Sequence, residues 1–128
     1  MKKKYRLLED DTITVNGTTL HRIEALKDFA DVKKGGKGGY VESEANLSHE
    51  GNCWVSGNAW VFGDAEVYGN AWVFGNACVY GNAEVYGYAQ VYGCAWVSND
   101  ALVCGTARVL GNACVFGNVQ ISNGIITS

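Results

Sequence analysis

The 128-residue sequence predicts an all-β solenoid of short, stacked parallel strands with a β-hairpin cap at its N-terminal end. Three regularities predict it. A branched apolar residue returns every sixth position from Val55 to Val115 and ends at Ile121. Alanine precedes nearly every one by two residues, from Ala59 to Ala113. Glycine follows by two, from Gly57 to Gly117, with Asn99 standing in once and Asn123 closing the series. The unit is seen cleanly in Asn76-Ala77-Cys78-Val79-Tyr80-Gly81.

Each element follows from this unit. Ala-x-Val-x alternates with period two, so Ala and Val share one face and the x residues share the other. Gly-Asn then turns the chain, since both residues tolerate left-handed backbone. A four-residue strand cannot bury its apolar face alone, but stacked copies can. The thin Val/Ala layer suits a narrow triangular tube of about five coils better than a sandwich with a ~10 Å core.

Ahead of the tube, Thr12 to Val15, Asn16-Gly17 and Thr18 to Ile23 form a hairpin with a favoured two-residue turn signal. Its expected role is to cover the first coil, because an open solenoid end exposes strand edges and core. Lys33-Lys34-Gly35-Gly36-Lys37-Gly38-Gly39 reads as a solvated loop. It lacks the GxxxxGK[ST] spacing of a P-loop. The division is therefore 1–38 for the cap and Gly/Lys loop and 39–128 for the coils. Leu47 to Val55 spans eight residues rather than six, so Ser48 to Asn52 bulges from a corner of the first coil. The neutral, apolar Asn123 to Thr127 stretch leaves the last coil to be covered by its own residues or by another subunit.

Composition removes several function classes. No apolar run approaches the ~20 residues of a membrane span. Lys2 to Lys4 resemble the basic start of a signal peptide, but Tyr5 to Asp10 is not a hydrophobic continuation. Five cysteines in no framework spacing fit a reducing, cytoplasmic setting. Cys53 occupies an Ala slot and points inward. Cys78 and Cys114 fall two coils apart, about 9–10 Å, too far for a disulfide. No zinc-type cluster is present, and neither a metal nor a cofactor is expected. The net charge of −3 divides into +3 for residues 1–37 and −6 for the rest, where Arg108 is the single cation. Such a tube cannot neutralise a nucleic-acid backbone.

The Val/Ala hexads resemble the hexapeptide repeats of left-handed parallel β-helices, and that resemblance implies three hexads per triangular coil and left-handed winding. The stretches Ile23 to Val32, Gly38 to Glu44 and Asn46 to Val55 are similar to small hexapeptide-repeat proteins of bacteriophages, prophages and gut bacteria. Three hexads per coil sort the outward residues onto three faces. The first stacks Trp54, Trp72, Gln90 and Arg108 beside Ser56, Phe74, Tyr92 and Leu110. The second stacks Tyr40, Trp60, Cys78, Trp96 and Cys114 beside Phe62, Tyr80, Ser98 and Phe116. Glu66 and Glu84 mark the third as the solvent face.

Two faces therefore carry aromatic ladders with little charge, more apolar surface than monomers usually expose. Tyr40, Trp60, Phe62, Tyr80, Trp96 and Phe116 are the expected oligomer interface, with the side-by-side trimer of the resembled proteins favoured. Trp54, Trp72, Tyr92, Arg108, Lys33, Lys34 and Lys37 are the candidate residues for a partner or a nucleotide-type ligand, the cations converging on aromatic rings in an oligomer. The resemblance to phage and prophage proteins implies an inhibitor of a host defence protein, or a sequesterer of its nucleotide signal, acting in the host cytoplasm. The fold's familiar activity, acyl transfer, is the alternative. It needs a histidine base, for which His49 in the corner bulge is better placed than His21 in the hairpin. A structural, polymer-forming or virion subunit is the third reading. The expectation is an oligomer that binds rather than catalyses.

Overall fold

A computed structural model describes residues 3–127. The hexads build a parallel β-solenoid whose three columns of strands hold their register throughout. The first-face column stacks Trp54–Val55, Trp72–Val73, Gln90–Val91, Arg108–Val109 and Ile125–Ile126. The second stacks Lys37–Val41, Trp60–Val61, Cys78–Val79, Trp96–Val97 and Cys114–Val115. The third runs from Glu66–Val67 to Gln120–Ile121, with Leu47 bridging to Val67 above it. The inward Val and Ala side chains from Ala59 to Val109 are almost fully buried.

The regular part of each strand is two residues long, shorter than the four-residue Ala-x-Val-x unit. The cause is local. The Ala77 amide bonds back to the Phe74 carbonyl at 3.4 Å and closes a turn around Gly75, whose φ is +69°. Alanine therefore belongs to the corner, while Val and its outward predecessor form the strand. The corners stack as well: the Asn76 amide donates to the Gly93 carbonyl one coil on, at 2.8 Å. Backbone groups are thus paired even where no strand is assigned.

Outside the core, aromatic rings stack between coils. Phe62 on Tyr80, Tyr68 on Tyr86 and Phe74 on Tyr92 lie at centroid distances of 5.3, 4.9 and 4.7 Å, nearly parallel. Each pair adds about 0.2–1 kcal/mol to its sheet.

The cap consists of β1 (Tyr5–Val15) and β2 (Thr18–Ala25), joined by the Asn16-Gly17 turn in which both φ angles are positive. β2 pairs antiparallel with β3 (Lys37–Val41), so the hairpin extends the second-face sheet beyond the first coil. Tyr5, Ile23 and Ala25 turn inward and close the tube. The Gly/Lys loop is tied down by Ala25 N–H to Gly36 O and Gly35 N–H to Ala25 O, both 2.9 Å.

Two coils depart from the period. Val41 pairs with Val61 and Leu47 with Val67, a separation of twenty residues, against eighteen for Val55 and Val73. The two extra residues lie within the Ser48–Asn52 bulge. At the other end Arg108 pairs with Ile125, seventeen residues on, because the last corner is shortened around Gly124. Ile125 and Ile126 therefore extend the stack.

Candidate functional site

Two constructions stand out against the repeat, one at the cap and one on the first face. At the cap, the backbone N–H of Lys4 donates to His49 Nδ1 at 3.1 Å, and His49 Nε2 lies 2.7 Å from Glu44 Oε1. A ring nitrogen that accepts a backbone N–H carries no proton, so Nε2–H is the donor to Glu44. Both ring nitrogens are engaged within the chain, and the ring stacks on Tyr5 at 4.2 Å. Lys3 Nζ meets the other Glu44 oxygen at 3.1 Å. His49 and then Lys3 hold the Glu44 carboxyl below the usual carboxylate range.

Beneath that layer the Lys4 side chain is fully buried. Its Nζ donates to Cys53 O at 2.6 Å and Gly51 O at 3.2 Å, and lies 3.3 Å from Cys53 Sγ. Burial pushes the Lys4 ammonium below the usual lysine range and the Cys53 thiol up. Tyr5 donates to Leu47 O at 2.6 Å, and burial raises its phenol. These groups hold the bulge against the N-terminal strand. Lys4 and Tyr5 carry no signal in the repeat, since their partners lie about forty or more residues away.

The first-face cleft has about 440 Å³ of space. Its floor is Trp72 and Phe74, and Phe74 is backed by its stack on Tyr92. Asn70, Gln90, Ser56, Tyr88, Ala30 and Asp31 complete its lining. Two of these, Tyr88 and Ala30, break the local rules. Tyr88 takes the corner slot that holds Asn in Asn70 and Asn76, and is 67% exposed. Ala30 adopts a φ of +47°, unusual for a residue with a Cβ, and is clamped by reciprocal Phe29 and Val32 backbone bonds of 2.9 and 2.7 Å. An aromatic in a polar corner slot is legible in the sequence. The left-handed alanine is not.

The candidate residues separate in space. Trp54 is 2% exposed, packed edge-on beneath Tyr5 and Phe29, so it belongs to the cap core and not to a binding surface. Trp72 does line the cleft, and Tyr92 lies beneath its neighbour Phe74 in the ladder. Arg108 lies one strand beyond Gln90. Lys37 pairs with Glu24 at 3.4 Å on the cap side. Lys33 and Lys34 are exposed and do not line the cleft. Within one chain the four cations do not converge, and the group that the loop brings to the aromatic floor is Asp31.

Tyr40 is withdrawn from any interface between chains, because the hairpin covers it. Arg22 lies over its ring at 4.5 Å, and its hydroxyl meets Asp11 Oδ1 at 2.9 Å. Trp60, Phe62, Tyr80 and Trp96 share a smaller cleft of about 170 Å³ with the hairpin tip at Val15 and Asn16. Trp96 and Phe116 remain 49% and 63% exposed. His21 Nδ1 faces Leu8 O at 3.2 Å, away from either cleft. Among the described residues no three His, Cys, Asp or Glu side chains form a metal-holding group, and no helix is long and apolar enough to cross a membrane.

No known protein-family profile matches the chain. Over 60 residues it is 38% identical to the uncharacterized acetyltransferase YdcK of Escherichia coli (strain K12), a stretch that covers 41% of this chain and 18% of that protein. The chain thus spans well under two thirds of the length of that relative. The partial similarity and the stacked solenoid together fit the hexapeptide-repeat proteins.

Proposed function

We propose that this protein is a non-catalytic binding protein that takes a protein partner on its first face. The observation that carries the reading is the cleft between Tyr88 and the Ala30–Asp31 turn. Two independent departures from regular structure meet there over an aromatic floor, and aromatic rings in a concave site are the usual anchors of protein recognition. Of the two partner classes implied by the phage and prophage resemblance, a host defence protein suits the cleft. A nucleotide signal does not, because the lining offers a carboxylate and no cation. Self-association through Trp96 and Phe116 is a separate part of this reading.

Acyl transfer is the second reading, and the similarity to the Escherichia coli acetyltransferase favours it. Against it stands the geometry of His49. Its one basic lone pair already accepts the Lys4 amide, and its other nitrogen is committed to Glu44.

Photocrosslinking in cells tests the proposal. A benzophenone side chain at position 88 is expected to trap a defined protein, whereas the same group at Glu66 on the third face is expected to trap none. Equal capture at both positions sinks the reading. Release of coenzyme A thiol from acetyl-CoA by the purified protein with an amine acceptor, abolished by His49→Ala, transfers the case to catalysis.

A further inference from the structure

The first-face cleft has a second property besides its aromatic floor. Asp31 is exposed, and among the described residues its carboxylate takes no ion pair or hydrogen bond within the chain. It is held beside Trp72, Phe74 and Tyr88 by a turn whose left-handed Ala30 is locked between Phe29 and Val32. Aromatic faces carry negative potential and attract a cation placed over them. A carboxylate at the rim adds a directional anchor for the same charge. Gln90 adds an amide oxygen able to accept a further N–H group, while the Asn70 amide oxygen already accepts the Asn52 N–H at 3.2 Å.

We propose that the first-face cleft is a cation-binding site that takes an arginine side chain presented by the protein partner. This rests on the binding role proposed above and names the chemistry of the occupant. Guanidinium fits better than ammonium for two reasons. Its plane stacks on Trp72 or Tyr88, and its fork of N–H donors meets a carboxylate and an amide oxygen together. The cations near the site set its limits. Lys33 and Lys34 follow Asp31 in sequence but lie outside the lining, and Arg108 sits one strand past Gln90. None of them lines the cleft, which leaves the Asp31 carboxylate open to a cation from the partner.

The test uses the whole 128-residue chain and two probes of nearly equal shape, N-acetyl-arginine amide and its citrulline counterpart. Indole N–H resonances are followed by NMR, with the Trp72 signal assigned through Trp72→Phe. Arginine amide is expected to shift the Trp72 signal saturably and to leave Trp96 on the second face unmoved. Citrulline is expected to bind at least about fivefold more weakly. Asp31→Asn is expected to remove most of that preference, and added salt to reduce it. Tyr88→Asn, which restores the corner residue of the repeat, is expected to weaken arginine binding about fivefold without altering the dispersion of the spectrum. Equal shifts with arginine and citrulline overturn the proposal, as does an Asp31→Asn variant that keeps full preference. If position 88 crosslinks a protein and citrulline matches arginine, the binding role stands and this inference alone fails. If arginine is selected while position 88 crosslinks nothing, the cation site stands and the protein-binding role fails.

Discussion

Tyr5 shows how one side chain joins the cap to the tube. Its hydroxyl donates to Leu47 O at 2.6 Å, its ring stacks on His49, and it lies edge-on to Trp54. Tyr5→Phe keeps the packing and leaves a buried carbonyl without its donor, so urea denaturation is expected to show a loss of about 1–2 kcal/mol. The neighbouring charges make the cap sensitive to acid. The Glu44 carboxyl is lowered in the native state by His49 and then Lys3. As pH falls through the window between the lowered value and the ordinary carboxylate value, the unfolded chain binds the extra proton. Stability from this group is therefore full above the ordinary range and is lost on acidification. Lys4 has the same sign at higher pH: its native value is lowered by burial, so stability rises as pH climbs toward the ordinary lysine range. The urea midpoint is expected to drop as pH falls from about 5 to about 3, and to drop less in Glu44→Gln. An equal drop in both proteins separates acid sensitivity from this contact.

The strand and its corner make up the next scale. Each corner glycine has positive φ, but the room beside it differs along the tube. A Cβ on Gly87 comes within 2.9 Å of the Gly105 backbone nitrogen, whereas one on Gly117 meets nothing within 4 Å. Gly117→Ala is expected to cost only the backbone term, about 1–2 kcal/mol. Gly87→Ala is expected to cost clearly more, since rigid backbone must shift, and thermal melts of the two variants provide the comparison. The hexads were legible in the sequence because Val, Ala and Gly give the same local instruction in coil after coil. The docking of the cap was not legible. Lys4 meets Cys53 and Tyr40 meets Asp11 across long separations, and no periodic pattern encodes such pairs. That is why Trp54 and Tyr40 read as surface residues, although the hairpin buries them. Tyr88 carried a visible signal as an aromatic in a corner slot, whereas the turn at Ala30 that faces it depends on backbone geometry alone.

At the scale of the molecule, the tube is a rigid frame on which a few departures from the repeat are displayed. Regular coils pair their own backbone, so a substitution that restores the repeat leaves the frame intact. Tyr88→Asn is therefore expected to melt within about 0.5 kcal/mol of the original protein while losing its partner. Native mass spectrometry of the original chain and Tyr88→Asn, each purified gently from cells, tests the central claim most directly. The account predicts a stoichiometric protein mass on the original chain and its absence from the variant. A partner retained equally by both proteins contradicts the account, as does an original chain carrying coenzyme A and no protein.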